Sequence, residues 1–176
     1  MSTTTQSKVT APNCGYPGDS YNTAFINQGL TQAATVTKGG VKIGRFCFGV
    51  NDTTNIQQLY EANKTVLAGF VIRAQNTPMP WDALYEGSSM LISDGLQANF
   101  VSSGSFLADV ISLNAGGAIK MQDKVYVRIS DSATIVSTAA LTDGYIDTGW
   151  KVTKTNPQAV NYNARIVVIS NQQTFN

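Results

Sequence analysis

Val41-Lys-Ile-Gly-Arg-Phe-Cys-Phe-Gly-Val50 is the stretch that decides the fold class of this chain. Side chains on a strand alternate between two faces, so Val41, Ile43, Arg45, Cys47 and Gly49 share one face and Lys42, Gly44, Phe46, Phe48 and Val50 the other. Both faces hold apolar residues, and a strand of that kind is either covered on both sides or turns its outer face to a partner chain. The same phrase, an apolar run with a glycine in or beside it and then a polar turn, returns in Val66-Leu-Ala-Gly-Phe-Val-Ile-Arg73. It is echoed in Asp123-Lys-Val-Tyr-Val-Arg-Ile129 and Arg165-Ile-Val-Val-Ile169.

Working outward, strands are expected at Met90 to Ile92, Gln97 to Val101 and Phe106 to Leu113, with weaker ones around Thr134 to Ser137 and Gly149 to Thr155, and a last run from Val160 to Ser170. Asp94-Gly95 between two alternating runs is a hairpin signal, and Asp143-Gly144 marks a second turn. Roughly nine short strands with turns about every 8 to 12 residues predict an all-β fold, a single β-barrel or jelly-roll-like sandwich. No long amphipathic helix competes for the core. Asn51 to Lys64 reads two ways, as one or two helical turns carrying Ile56, Leu59 and Tyr60, or as a polar excursion. Gly44 and Gly69 are expected where a bulge or a close strand approach excludes a side chain, and Trp150 is expected in the core.

Residues 1–38, rich in Ser, Thr, Gln and Asn and broken by Pro12, Pro17 and several glycines, read as an extended N-terminal arm; residues 39–176 form the barrel or sandwich body. Tyr16, Tyr21, Phe25 and Ile26 give the arm apolar anchors that solvent would waste, and an irregular first strand lying on its own domain is the other reading. Between the second and third runs, Gln75-Asn-Thr-Pro-Met-Pro-Trp-Asp-Ala-Leu-Tyr-Glu86 holds two prolines that forbid a central strand and, in Trp81 and Tyr85, two aromatics suited to docking.

The composition excludes much chemistry. There is no histidine and there are only two cysteines, so the commonest general base and the commonest metal ligand are missing together. No phosphate-binding glycine motif follows a strand, no catalytic cysteine signature surrounds Cys14, and the acidic pairs sit in turns and loops. Neither an enzyme nor a cofactor is expected. Twelve basic against eleven acidic residues, without a basic run, argue against nucleic acid. No apolar stretch is long enough for a transmembrane helix, and the first residues lack a secretory pattern, so synthesis in a cytosol-like compartment is expected. One thiol, Cys47, is expected buried and unpaired. The charged fraction of 13% is about half of the usual value. Such a surface, wetted by neutral polar groups, suits packing against neighbours.

The order Tyr16-Pro-Gly-Asp19, Val41-Lys-Ile-Gly-Arg-Phe46, Leu67-Ala-Gly-Phe-Val-Ile-Arg73, Ile92-Ser-Asp-Gly95, Met121-Gln-Asp-Lys-Val-Tyr-Val127, Gly149-Trp150 and Arg165-Ile-Val-Val-Ile169 resembles the head-decoration, or structural cement, proteins of tailed bacteriophages. The resemblance implies a β-barrel or jelly-roll-like capsid protein on the outer surface of an icosahedral head. It implies the major capsid protein as partner, bridging of neighbouring copies, and self-association as a dimer or trimer. On this reading Tyr16, Tyr21 and Phe25 of the arm and Trp81 and Tyr85 of the loop are interface residues. The competing reading is a carbohydrate- or receptor-binding β-sandwich of a phage tail or fibre, with Trp81 and Tyr85 as a stacking platform.

Overall fold

The structure, a computed structural model, describes residues 17–21, 31–50, 54–73, 90–155 and 165–171. Among these the strands are β1 (Gln32–Val36), β2 (Val41–Lys42), β3 (Phe46–Val50), β4 (Asn55–Gln57), β5 (Thr65–Val71), β6 (Leu91–Ile92), β7 (Gln97–Val101), β8 (Ser105–Ser112), β9 (Lys124–Arg128), β10 (Thr134–Ser137), β11 (Tyr145–Thr155) and β12 (Arg165–Ser170). The fold is all-β, as the alternating runs predict. Within the barrel or sandwich class expected, the strands close into two barrels, β1-β4-β3-β5-β7 and β10-β8-β12-β11-β9, with β2 and β6 paired in a separate ribbon. A closed ring of five strands cannot alternate direction all the way round, so each barrel must contain a parallel pair. The pairs are β1 with β4 and β10 with β8.

Phe46 and Phe48 on one face of β3 and Cys47 on the other are all fully buried. Cys47 packs inside the first barrel with Val36, Ile56, Val71 and Phe100. Phe46, Phe48 and Phe70 point the opposite way, into a core shared with Phe106, Val127, Trp150 and Ile169 of the second barrel. The two-sided apolar pattern is therefore satisfied within the chain. At the seam, Phe46 meets Phe70 and Trp150 edge-on at centroid separations of 5.2 and 5.6 Å. Phe70 and Phe106 lie 5.9 and 6.3 Å from Trp150. Each buried ring contributes about 1.5–3 kcal/mol of transfer free energy.

Four local readings are revised. The run from Val41 to Val50 is interrupted at Ile43 to Arg45, where Gly44 takes φ +78° and a Cβ would come within 2.3 Å of Pro17. Asn51 to Lys64 contributes a strand, β4, with Ile56 inside the first barrel, where a helical turn or excursion was expected. Asp94-Gly95 does turn the chain, but β6 and β7 do not pair, because β6 joins β2 and β7 joins β1 and β5. Within the stretch read as the arm, Gln32–Val36 is a barrel strand, since its register partners in β7 leave it no freedom to extend elsewhere. Gly69 behaves as expected: a Cβ there would lie 2.3 Å from the Val101 carbonyl oxygen, beside a register shift between Cys47 and Phe48.

Cys47 is unpaired, and burial pushes its thiol up to about 12, against a weak Sγ contact of 3.5 Å with the Gly69 carbonyl. Only the thiolate is nucleophilic. In a Cys14→Ser variant, the remaining thiol is expected to resist iodoacetamide at neutral pH and to react fully in denaturant; comparable labelling rates in both conditions would contradict this burial.

Candidate functional site

Of the five residues expected at an interface, Tyr16, Phe25, Trp81 and Tyr85 lie outside the described residues. Tyr21 is half-buried at the end of a short segment that is stitched to the body. Gly18 N–H donates to the Leu107 carbonyl at 2.8 Å, Leu107 N–H to Asp19 O at 3.0 Å, and Tyr21 N–H to Ser105 O at 3.0 Å. Ser20 and Phe106 form an antiparallel bridge. β10 pairs with β8 only from Val110 onward, so this segment takes the edge of β8 that β10 leaves open. On its other side Arg73 N–H donates to Gly18 O at 3.0 Å, and the Arg73 guanidinium lies 3.6 Å from the Asp19 carboxylate. Residues 17–21 thus touch both barrels at once. A Cβ on Gly18 would come within 2.5 Å of Ile43.

Polar contacts reinforce the same seam. Ser132 Oγ donates to the Gln58 carbonyl, Gln58 Nε2 donates to Phe46 O at 3.0 Å, and Lys42 N–H donates to Gln58 Oε1 at 2.7 Å. Arg128 forks onto Asp131, Nε to Oδ1 at 2.8 Å and Nη2 to Oδ2 at 2.6 Å, while Arg45 reaches the Asp131 carbonyl at 3.4 Å. Arg45, Arg73 and Arg128 are therefore engaged within the chain. The Arg128 hydrogen bonds hold the Asp131 carboxyl below its ordinary range, and the Lys38 and Gln57 hydrogen bonds do the same for Glu61. Burial pushes Asp109 up, against the opposing charge of Arg45.

The lowered groups contribute stability that is present above their unfolded values and is lost as pH falls through the folded ones. Asp109 has the opposite sign. Its contribution is present below its unfolded value and lost as pH rises through the folded one. Melting temperature is expected to fall below about pH 4 as Asp131 and Glu61 take up protons. An Asp131→Asn variant is expected to melt lower at neutral pH and to show a shallower acid slope. The Asp131 side chain is 46% exposed, so the effect is about 1 kcal/mol or less. An unchanged acid slope in the variant would remove Asp131 from this account.

Closed barrels offer partners few backbone edges. What the described surface offers is apolar side chains. Phe106, Ala108 and Val110 of β8 point inward, and on the alternate face Leu107 is buried while Ile111 and, just past the strand, Leu113 are 45% and 46% exposed. Met121, at the far end of the following turn, is 64% exposed. That turn is held by side chains. Asn114 Nδ2 donates to Asp123 Oδ2 at 2.8 Å and to Ala118 O at 2.9 Å, its Oδ1 accepts from Thr138 N–H at 2.8 Å, and Lys120 N–H donates to Asp123 Oδ2 at 2.8 Å. Asp123 is itself buried. Leu113 and Met121 are thus displayed on a fixed turn. The even and odd positions of Phe106 to Leu113 carried this signal, but a run apolar on both faces does not say which face is covered. Among the described residues no cluster of three or more metal-ligating side chains occurs.

The family model for the XM1 gp53 minor capsid protein matches residues 5–170. A solved structure, the capsid of Myoviridae phage XM1, contains a chain of similar fold, with a TM-score of 0.58, 16% identity and 91% of each chain covered. No curated protein sequence matches. With nearly its whole length matched, the chain belongs to the XM1 gp53 minor capsid protein family, and is a capsid-associated structural protein of a bacteriophage.

Proposed function

We propose that the protein is a decoration, or cement, component that binds the outer surface of the phage head and bridges neighbouring major capsid proteins. The observation that carries this reading is the fixed turn presenting Leu113 and Met121, next to Ile111, on a body in which ten of the described strands close into two barrels. Apolar side chains held in place in advance lose little entropy on docking, and buried anchors of this kind dominate interface energetics. A ligand that binds only the assembled shell stabilises that shell, and repetition around a symmetry axis turns modest contacts into avidity. Tyr16, Tyr21 and Phe25 extend the contact along the chain's N-terminal part, and Trp81 and Tyr85 supply further anchors. Self-association as a dimer or trimer over such an axis belongs to the same reading.

The test is cosedimentation of purified protein with heads lacking it, beside a glycan panel. Binding to heads is expected, together with a raised temperature of head disruption. A Leu113→Asp/Met121→Asp double variant is expected to weaken binding about tenfold or more while keeping its melting temperature, because each side chain is about half exposed before binding. Glycan binding without head binding would favour the receptor-binding alternative. Head binding unaffected by the double variant would remove this turn from the contact.

A further inference from the structure

The chain contains two Asp-Gly turns that are locally alike. Asp94 and Asp143 are both exposed, Gly95 and Gly144 both take φ +81°, and a Cβ at either glycine would meet nothing within 4 Å. Their hydrogen bonding differs. The Asp94 carboxylate accepts from Gly39 N–H at 2.8 Å (Oδ1) and 3.1 Å (Oδ2) and from Gly40 N–H at 2.6 Å (Oδ1). Gly95 N–H donates to the Val36 carbonyl at 2.8 Å. Among the described residues no such bond holds the Asp143 carboxylate or the Gly144 N–H. We infer that Asp143 is a site of spontaneous aspartate isomerisation in the folded protein and that Asp94 is protected from it.

The chemistry needs only water. The Gly144 backbone nitrogen attacks the Asp143 side-chain carbonyl carbon; the N–Cγ bond forms, the Cγ–OH bond breaks, and the departing hydroxyl leaves as water with the amide proton. Water then opens the succinimide at either carbonyl, returning aspartate or leaving isoaspartate, with no change in oxidation state. Glycine favours the attack because it has no side chain to hinder the nitrogen. At Asp94 both reacting groups are engaged, the carboxylate as an acceptor and the nitrogen as a donor to Val36, so reaction there first requires breaking those bonds. At Asp143 the product inserts one extra backbone carbon between residue 143 and Gly144, one residue ahead of Tyr145, which pairs with Arg128 at the start of β11.

The experiment is to incubate the intact protein at neutral pH and 37 °C, natively and in urea, and to map isoaspartate by peptide digestion with an isoaspartyl methyltransferase. In the native protein isoaspartate at 143 is expected to exceed that at 94 by about tenfold or more, because each protecting bond must open before ring closure. In urea the two sites are expected to convert at similar rates, since the dipeptide is the same. An Asp143→Glu variant, which cannot form the five-membered ring, assigns the signal. Equal conversion in the native protein, conversion mainly at 94, or no native conversion at 143 while the urea sample converts would each overturn the inference.

Discussion

A Trp150→Ala variant is expected to lose about 3–5 kcal/mol of unfolding free energy, the range for deleting a large buried aromatic without collapse of the space it leaves. The indole is 3% exposed and lies against Phe46, Phe70 and Phe106, two of which belong to the first barrel while Trp150 itself belongs to the second. Removing it opens a cavity at the seam, so the loss falls on the coupling of the barrels as well as on one core. With total stabilities of about 5–15 kcal/mol for native proteins, this is a large fraction. Urea unfolding followed by circular dichroism measures it. A Val66→Ala variant, at a side chain 61% exposed, serves as the control and is expected to stay within about 0.5 kcal/mol. A loss below about 1 kcal/mol at Trp150 would mean that the aromatic seam does not hold the barrels together.

The step from a chain lacking residues 1–16 to one lacking residues 1–21 is expected to cost about 2–4 kcal/mol. It removes the main-chain hydrogen bonds that join Gly18, Asp19 and Tyr21 to Leu107, Ser105 and Arg73, each contributing about 1 kcal/mol net, along with the Asp19–Arg73 pair. For a domain of this size that corresponds to a melting temperature lower by roughly 4–16 °C. The shorter truncation therefore tests capsid attachment through Tyr16 while keeping residues 17–21 in the seam, whereas the longer one confounds attachment with folding. Equal melting temperatures for the two truncations would show that residues 17–21 do not fasten the barrels. Head binding unchanged without residues 1–16 would exclude Tyr16 from the contact.

The all-β class, most strand positions after Gly40, the burial of Trp150 and Cys47 and the close approach at Gly69 were legible in the residues, because alternation, turn chemistry and side-chain size are local properties. The same pattern showed that both faces of the β3 run would be covered. It could not say that the cover is a second barrel of the same chain, since a period of two reports facing and not partner. Likewise Asp94-Gly95 announces a turn, but the flanking strands diverge to different partners, β6 to β2 and β7 to β1 and β5, and the Asp94 carboxylate accepts from Gly39 and Gly40, some 54 residues earlier in the chain. Pro17 to Tyr21 and β1 looked like arm because their polar composition hides main-chain pairing, which depends on no side chain. Local sequence determined which residues are strands and which are inward. Ring closure, the shared aromatic seam and the exposure of Leu113 and Met121 came from long-range pairing, whose energy lies in contacts between segments that the order of residues does not bring together.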